Sequence, residues 1–203
     1  MKPIYIAVIC FCSLLWLACT KETSKENELP FTTAPAPTDT NFTMYTINRG
    51  VHESTPNLPQ WASVDSMVFD VRFDSACRYL TVNPNNQADI NKLFGFADNN
   101  KVHHAYSARI GWRWYQNKME LLGYVYNDSV RTYQFISHVP IDQNNRCVIA
   151  VKGNQYVFAV NGTRISMPRR ASTVRGDGYV LYPFFGGDEP APQTMRIYIR
   201  RIR

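Results

Sequence analysis

Residues 107–139 carry the pattern that decides the expected fold: SARIGWRWYQNKMELLGYVYNDSVRTYQFISHV. Three runs rich in aromatic and β-branched residues are separated by two short polar segments, residues 116–118 and 127–129. Runs of this kind, bounded by turn-forming residues, are typical of antiparallel strands joined by tight turns. The stretch therefore predicts a three-stranded meander with one face in the protein core.

Alternation divides the first strand of this meander into two faces. One face carries Ala108, Ile110, Trp112 and Trp114, and the other carries Ser107, Arg109, Gly111 and Arg113. A two-residue period does not say which face is buried, so either set can line a binding surface. If the Ile/Trp set is core, the opposite face of the meander provides the candidate ligand-binding residues Arg109, Arg113, Tyr124, Tyr126, Gln134 and His138. The alternative is that these are ordinary exposed strand residues that pair across strands.

Similar signals recur outside the meander. They predict further strands at residues 42–47, 66–73, 92–96, 146–152, 155–161, 164–167, 178–185 and 195–202. Gly153-Asn154 and Asn161-Gly162 are typical of two-residue hairpin turns, whereas residues 52–61, with two prolines, are expected to be irregular. No stretch of the mature domain has a sustained helical period. About 10–12 short strands in residues 41–203 thus predict an all-β antiparallel sandwich or barrel with little helix.

The first 40 residues have a different character. Residues 1–18 combine a short basic start with an apolar run, which is typical of a signal peptide. Its end, Leu15–Cys19, resembles the lipobox of bacterial lipoproteins, which implies that Cys19 is lipidated and anchors the protein to a membrane. Residues 20–22 resemble the sorting signals of some Bacteroidetes outer-membrane lipoproteins, and residues 19–40 are expected to be a flexible tether. We therefore expect an outer membrane lipoprotein that faces the periplasm or the cell surface; an ordinary secretory signal is the alternative.

Charge points to an anionic partner. The chain carries +6 and residues 1–40 carry −1, so residues 41–203 carry +7, with 15 Arg and 4 Lys. The planar guanidinium favours bidentate capture of carboxylates, sulfates or phosphates. A solvated basic surface, or contact with anionic lipid headgroups, explains the same charge. Nucleic acid fits the charge but not the expected location.

Cysteine, histidine and acidic residues give weaker signals. Cys77 and Cys147 can form a disulfide in an oxidising compartment, or they are two buried unpaired thiols. Neither has metal-ligand spacing, so we expect no metal site and no cofactor. The pair His103-His104 is expected in a solvated loop, and a metal or acid–base site is the alternative. Calcium at Asp188-Glu189 is conceivable, but adjacent carboxylates diverge in space.

A resemblance extends over most of residues 64–203. A strand with Arg and Trp, followed by Lys118–Leu121, Tyr156–Gly162, Tyr182–Gly187 and Arg196–Ile199, resembles the concanavalin A-like jelly roll of legume lectins, laminin-G domains, family 16 glucanases and family 7 alginate lyases. This resemblance implies an antiparallel jelly-roll β-sandwich of two packed sheets. It concerns the fold rather than an activity.

The enzymes among these families can be compared residue by residue. The Glu-x-Asp-x-Glu strand of family 16 glucanases is absent. Tyr182 and Gly186 match the start of the lyases' Tyr-x-x-x-Gly motif, but Asp188 stands where those lyases have a second Tyr, and their Arg-x-Glu-x-Arg and Gln-x-His strands are absent. A divergent lyase would use Tyr182 or His138 with Arg109 or Arg113.

We therefore predict a protein that binds a glycan, plausibly an anionic polysaccharide, without a demonstrable catalytic motif. Arg109, Arg113, Tyr124, Tyr126, Gln134, His138 and Tyr182 are the predicted ligand-binding residues. The alternatives are a polysaccharide lyase that acts on polyuronates and a non-catalytic subunit that serves as a scaffold for assembly.

Overall fold

A computed structural model describes residues 41–202, which form strands and two short 3₁₀ helices, Ser75–Cys77 and Pro84–Ala88. The strands are β1 (Thr43–Ile47), β2 (Ser54–Thr55), β3 (Trp61–Val64), β4 (Ser66–Phe73), β5 (Asn91–Ala97), β6 (Tyr106–Tyr115), β7 (Lys118–Asn127), β8 (Val130–Val139), β9 (Asn145–Lys152), β10 (Gln155–Val160), β11 (Thr163–Pro168), β12 (Gly176–Leu181) and β13 (Met195–Ile202). No helix in this described range is long and apolar enough to cross a membrane. The predicted signal peptide, Cys19 and the tether lie outside the described residues.

The strands form two antiparallel sheets packed as a sandwich. The first sheet has the order β11-β10-β9-β4-β13-β1-β2, and the second has the order β3-β12-β5-β6-β7-β8. Their facing sides bury one apolar cluster, in which Phe69, Phe94 and Phe158 are fully buried. The predicted all-β antiparallel jelly-roll sandwich is confirmed, and the core explains why alternate residues of most strands are apolar.

The predicted meander is β6, β7 and β8. Its turns contain two residues each, Gln116-Asn117 and Asp128-Ser129, and all four residues have positive φ between 49° and 64°. Turns of this hand match the twist of paired strands and fix their register. Tyr106 therefore pairs with Asn127, and Val130 also pairs with Asn127 from the other side.

Packing settles which face of β6 is buried. Ala108, Ile110 and Trp112 are fully buried in the core between the sheets. Arg109 and Arg113 consequently lie on the opposite side, which we call the outer face of the six-stranded sheet. Cross-strand pairing places Tyr124 beside Arg109 on that face.

A β-bulge in β8 changes the face on which later residues lie. Leu122 pairs with Phe135, but Leu121 pairs with Ser137, so Ile136 is the extra residue. His138 therefore returns to the outer face, opposite Glu120. Gln134 instead pairs with Gly123, where an added Cβ would meet Met167 of the other sheet. The prediction that Gln134 shares a face with His138 is thus wrong, because alternation fails across a bulge.

Other differences from the sequence expectations are local. Strand β12 ends at Leu181, since the chain turns through Pro183 and Phe184 makes only isolated bridges to Glu53 and Lys92. The segment predicted to be irregular contains β2, which pairs with β1. Cys77 and Cys147 are buried and unpaired, so the alternative of two free thiols holds and the disulfide does not.

Candidate functional site

Two adjoining pockets meet at Arg109. The first, which we call the cationic pocket, has a volume of about 480 Å³ and is lined by Lys92, His103, His104, Arg109, Tyr124, Tyr126, Arg131, Phe184, Gly187 and Asp188. The second, which we call the apolar pocket, has a volume of about 510 Å³ and is lined by Glu53, Ser54, Asn57, Pro59, His103, Arg109, Tyr179, Val180, Leu181, Tyr182, Pro183 and Phe184. Both volumes lie in the range usual for small-molecule sites. Arg109, His103 and Phe184 belong to both pockets.

Arg109 is a buried cation that has no counter-ion among residues 41–202. The whole residue is 5% exposed, and the side-chain Nε has no hydrogen-bond partner within residues 41–202. No carboxylate among those residues forms an ion pair with it; its guanidinium lies over the Tyr124 ring, 5.7 Å from the centroid. Burial lowers the pKa of Arg109 to about 10, so it remains protonated at neutral pH. A buried and incompletely paired charge is costly in a folded protein, which makes this guanidinium a ready receptor for an anion.

A glycine on the next strand makes room for this side chain. Gly95 pairs with Arg109 across β5 and β6. A Cβ at Gly95 would lie 2.9 Å from Cγ of Arg109 and would collide with the backbone of Ala108. The absence of a side chain at residue 95 therefore allows the guanidinium to lie on the sheet surface.

Lys92 supplies a second cation from β5. Its Nζ lies 5.2 Å from the ring centroid of Tyr124 and 5.9 Å from that of Phe184. A Cβ at Gly186 would collide with this Nζ, so the glycine keeps the ammonium position open. Burial, followed by repulsion from Arg109 and Arg131, lowers the pKa of Lys92 to about 8. Lys92 is thus mostly charged at neutral pH but loses its proton at mildly alkaline pH.

Two histidines form part of the wall. The hydroxyl of Tyr179 accepts the backbone N–H of His103 at 3.0 Å and lies 2.9 Å from Nδ1 of the same residue. The direction of the bond at Nδ1 depends on the imidazole tautomer, because a hydroxyl can both accept and donate. Burial, with repulsion from Arg109, lowers the pKa of His103 to about 4, so the imidazole is neutral. His104 packs on the ring of Tyr126, with centroids 5.5 Å apart.

The tyrosines and Arg131 complete the cationic pocket. Tyr124 and Tyr126 stack edge to face, with centroids 5.9 Å apart. Burial, and then Tyr126, raise the pKa of Tyr124, whereas contact with Tyr124 raises that of Arg131. The Tyr124 hydroxyl therefore stays protonated and the Arg131 guanidinium stays charged at neutral pH, which leaves hydrogen-bond donors along this wall.

Arg113 and His138 form a separate cluster with Glu120. Nε of Arg113 donates to Glu120 at 2.7 Å, and Nε2 of His138 lies 3.3 Å from the other carboxylate oxygen. Arg113 is four residues from Arg109 along β6, or about 13 Å, and neither Arg113 nor His138 lines the two pockets. Both side chains already contact the Glu120 carboxylate, so this cluster is less available to an anion than Arg109 is.

Tyr182 lines the apolar pocket, but its hydroxyl is occupied. It donates a hydrogen bond of 2.7 Å to the carbonyl of Leu58. The ring packs against Tyr45 and Phe94, with centroid distances of 5.8 and 5.9 Å. Burial raises the pKa of Tyr182. The residues predicted for a lyase are therefore divided: Tyr182 and Arg109 share a pocket, whereas His138 and Arg113 lie in the Glu120 cluster.

The acidic pair Asp188-Glu189 is also divided. Glu189 accepts hydrogen bonds of 2.8 Å from the backbone N–H groups of Val82 and Asn83 and from the Asn86 amide. Asp188 instead lines the cationic pocket. Within residues 41–202, no three His, Cys, Asp or Glu side chains cluster as metal ligands do.

Exposed aromatic rings lie at both edges of the same sheet. Trp61 of β3 is 65% exposed and pairs with Tyr179, whereas Tyr133 of β8 is 53% exposed and pairs with Tyr124. The pairing places both rings on the outer face, on opposite sides of Arg109. Flat aromatic rings of this kind suit stacking against sugar faces.

Sequence reasoning missed several pocket residues. Lys92 and Tyr179 were assigned to strands without a role, and Phe184 was assigned to the last part of a strand. His103 was expected in a solvated loop. The one available signal for Lys92 is that lysine is rare in this domain, with 4 Lys against 15 Arg. The signal is weak, because the predicted strand at residues 92–96 has apolar side chains on both faces.

No protein-family model matches the sequence, and no curated protein sequence matches it. Solved structures do match. Alginate lyase AlyC3 in complex with dimannuronate superposes with a TM-score of 0.54 and 10% identity, covering 79% of this chain and 73% of that chain. The catalytic domain of an endo-1,3-beta-glucanase (laminarinase) from Thermotoga petrophila superposes with a TM-score of 0.51 and 11% identity, covering 80% and 76%. At such identities the likeness concerns the fold, and residues 41–202 thus have the concanavalin A-like jelly-roll fold of these proteins.

Proposed function

We propose that this protein binds an acidic polysaccharide and that Arg109 receives a carboxylate of the bound glycan. The observation that carries the proposal is the buried guanidinium of Arg109, which has an unpartnered Nε and no ion pair among residues 41–202. A carboxylate is the natural partner of a planar guanidinium, because two parallel N–H···O bonds can form.

The surroundings of Arg109 favour a sugar acid over a simple ion. Lys92 and Arg131 add positive charge to the same pocket, against one carboxylate, Asp188. The tyrosine hydroxyls can hydrogen-bond sugar hydroxyls, and the exposed rings of Trp61 and Tyr133 can stack on neighbouring sugars. The fold is also that of an alginate lyase solved with dimannuronate and of a laminarinase.

Affinity electrophoresis of the purified protein in gels with acidic or neutral polysaccharides tests this proposal. Alginate, polygalacturonate and hyaluronan are compared with laminarin and a mixed-linkage glucan. We expect retention by at least one acidic polymer, its loss in Arg109→Met, and its persistence in Arg113→Met, a matched control from the same strand. Migration unchanged by every polymer contradicts the proposal; together with a stable protein partner in pull-downs, it would favour an assembly subunit.

A polysaccharide lyase is the second candidate. The specific observation is that neutral His103 lines the same pockets as Arg109. In the tautomer whose Nδ1–H donates to Tyr179, the unprotonated Nε2 of neutral His103 can accept a proton beside a uronate carboxylate that a guanidinium neutralises. Absorbance of the unsaturated product during incubation with polyuronates measures this activity. We expect it to be lost in His103→Ala; activity that survives there and in Tyr182→Phe and His138→Ala excludes all three as the essential base or acid.

We also propose that a lipid on Cys19 anchors the protein to the outer membrane. The support is the sequence Leu15–Cys19 alone. Metabolic labelling with a fatty acid, followed by membrane fractionation, tests it. We expect label in the wild-type protein and none in Cys19→Ala.

A further inference from the structure

The two pockets that meet at Arg109 differ in net charge. In the cationic pocket, the three cations Lys92, Arg109 and Arg131 are opposed by one carboxylate, that of Asp188. Among the residues that line the apolar pocket, Arg109 is the one cation and Glu53 is the one carboxylate, so their formal charges cancel. A saccharide bound at Arg109 therefore meets positive charge on one side and a surface without net charge on the other.

Glu53 is accessible to a ligand in the apolar pocket. The residue is exposed and lines the pocket. None of the ion pairs within residues 41–202 includes its carboxylate. Like charges in one site repel each other, so this carboxylate disfavours a second anion there. An ionised carboxylate only accepts hydrogen bonds, which suits the hydroxyl groups of an uncharged sugar.

The other accessible groups of the apolar pocket also suit an uncharged sugar. Asn57 is exposed, and its amide can both donate hydrogen bonds to sugar hydroxyls and accept them. The exposed ring of Pro59 and the half-buried rings of Tyr182 and Phe184 offer apolar surface to the C–H faces of a sugar. The lining of this pocket thus combines an anionic acceptor, an amide and apolar rings, with no cation besides the shared Arg109.

Strand pairing places the apolar pocket on the path of a bound chain. Its residues Tyr179 and Leu181 belong to β12, which lies between β3 and β5. Tyr179 pairs with the exposed Trp61 of β3. Leu181 pairs with Gly95, which in turn pairs with Arg109. A saccharide that runs across the strands from Arg109 toward Trp61 therefore crosses the apolar pocket.

We infer that the apolar pocket receives an uncharged sugar next to the uronate at Arg109, so that the preferred ligand is a mixed polysaccharide in which acidic and neutral sugars are neighbours. This inference deepens the proposed function and rests on it, because the uronate carboxylate occupies Arg109. A homopolymer of uronates carries a carboxylate on each sugar and brings one of them to Glu53. A mixed chain instead presents hydroxyl groups there.

Isothermal titration with matched oligosaccharides tests the inference. Oligogalacturonate and oligomannuronate are each compared before and after chemical reduction of about half of their carboxylates to primary alcohols, which leaves the rings and linkages unchanged. Binding by overall charge alone predicts a lower affinity after reduction, because fewer anions remain. We expect the partly reduced form of at least one of them to bind about fivefold more tightly, which corresponds to relief of one repulsion between exposed charges.

Two carboxylate variants provide a matched pair. Glu53→Gln removes the negative charge of the apolar pocket and Asp188→Asn removes that of the cationic pocket, and each keeps the size of its side chain. We expect Glu53→Gln to tighten binding of the unmodified oligosaccharide about fivefold and to abolish the preference for the reduced form. Asp188→Asn should tighten binding of both forms to a similar degree and leave the preference unchanged.

The outcomes separate this inference from the proposed function. Equal or tighter binding of the unmodified form by the wild type, or a preference that persists in Glu53→Gln, overturns the neutral-sugar site and leaves the proposed function intact. Absence of binding by every oligosaccharide that carries a carboxylate overturns both.

Discussion

Two buried arginines in this domain have opposite environments. Arg169 is 4% exposed and Arg109 is 5% exposed, so both guanidinium groups are removed from water. Nε of Arg169 donates to the buried carboxylate of Asp98 at 2.8 Å, and Nη1 donates to the Thr173 carbonyl at 2.6 Å. Arg109 has neither kind of partner among the described residues, and it lines both pockets.

Arg169 and Asp98 belong to a larger network of hydrogen bonds. Tyr156 donates to the same carboxylate at 2.5 Å, and Nη2 of Arg169 donates to the Arg175 carbonyl at 2.9 Å. Burial by itself would raise the pKa of Asp98, but the hydrogen bonds from Arg169 and Tyr156 outweigh it and hold the pKa below its usual value. This network ties residues 169–175 to the end of β5, and its role is structural.

The comparison shows that burial of a charged residue does not by itself indicate function. What distinguishes Arg109 is that its Nε has no hydrogen-bond partner in the described part of the chain, while its charge remains. A fold stabilised at Arg169 by internal partners can retain a less favourable arrangement at Arg109, where the proposed anionic ligand would supply a partner.

The largest expected difference between the two arginines is in stability. Arg169→Met leaves the Asp98 carboxylate buried without its cation, so we expect the free energy of unfolding to fall by about 3–5 kcal/mol. Arg109→Met removes a buried charge that has no ion-pair partner among the described residues, and it should leave stability unchanged or raise it. Urea denaturation followed by tryptophan fluorescence measures both. Equal losses in the two variants would contradict the contrast.

The second effect concerns the shape of the cation at residue 109. Arg109→Lys retains the charge but loses the planar fork that binds a carboxylate through two bonds. We expect affinity for the acidic oligosaccharide to fall about tenfold, which corresponds to one charge-assisted hydrogen bond. Titration calorimetry measures the loss, and Arg113→Lys is the control. Undiminished affinity in Arg109→Lys would mean that charge alone is recognised.

Arg109 also affects Lys92, because its positive charge adds to the effect of burial in lowering the pKa of the lysine. Since the pKa of Lys92 is about 8, we expect affinity for an acidic ligand to decline several-fold between pH 7 and pH 9 as the ammonium loses its proton. Lys92→Met should remove this part of the pH dependence, and Arg109→Met should move it to higher pH. A profile that is the same in the wild type and in Lys92→Met would assign the dependence to another group.

Without ligand, Lys92 has the opposite effect on stability. Its pKa in the folded state is below the ordinary value of 10.5, so the unfolded chain binds more protons between pH 8 and pH 10.5. The contribution of Lys92 to the free energy of unfolding therefore rises with pH across that window. Denaturation curves of the wild type and Lys92→Met should converge as pH increases.

A smaller effect is expected at the sheet edges. Tyr133→Ala and Trp61→Ala each remove an exposed ring on the outer face, and we expect a several-fold loss of affinity for long oligosaccharides. Short oligosaccharides that reach only Arg109 should bind both variants like the wild type. Phe135→Ala removes an aromatic ring at another position of the same strand. It tests whether the effect depends on where along β8 the ring lies. A loss of the same size for short and long ligands would place the rings at the central site.

The smallest effect is confined to acidic pH. The pKa of His103 is about 4 in the folded protein and 6.5 in its ordinary state, so the unfolded chain binds more protons between these values. His103 therefore contributes stability that is complete above pH 6.5 and is lost as pH falls toward 4. His103→Gln should flatten this part of the stability profile. If stability changes between pH 6.5 and pH 4 in the same way in His103→Gln and in the wild type, His103 does not have the lowered pKa in the folded protein.

Much of the fold was predictable from local pattern. Strands β4 and β13 cover the residues predicted for them, and the meander has the predicted order and turns. Runs of alternating apolar residues and tight polar turns are properties of neighbours in sequence, so they survive in the structure. The predicted strand at residues 178–185 is less accurate. Hydrophobicity extends it to Phe185, whereas β12 ends at Leu181 and the chain then turns through Pro183.

The candidate site was predictable only in part. Arg109, Tyr124 and Tyr126 were identified because their strands pair directly. Gln134 was misplaced, since the bulge at Ile136 reverses the face and leaves no clear mark in the sequence. His103, Lys92 and Phe184 come from three separate segments, and only packing of those segments brings them to one pocket.

The sequence by itself determined the strands, the turns and the presence of arginine and aromatic side chains in the meander. The tertiary structure decided which face of that meander is buried, where Gln134 and His138 lie, and which arginine has a partner. Within residues 41–202, Asp98 pairs with Arg169 and no carboxylate pairs with Arg109. Each outcome depends on residues far apart in the chain. Periodicity reports on neighbours in sequence, whereas an unpaired buried charge is defined by everything that surrounds it in space.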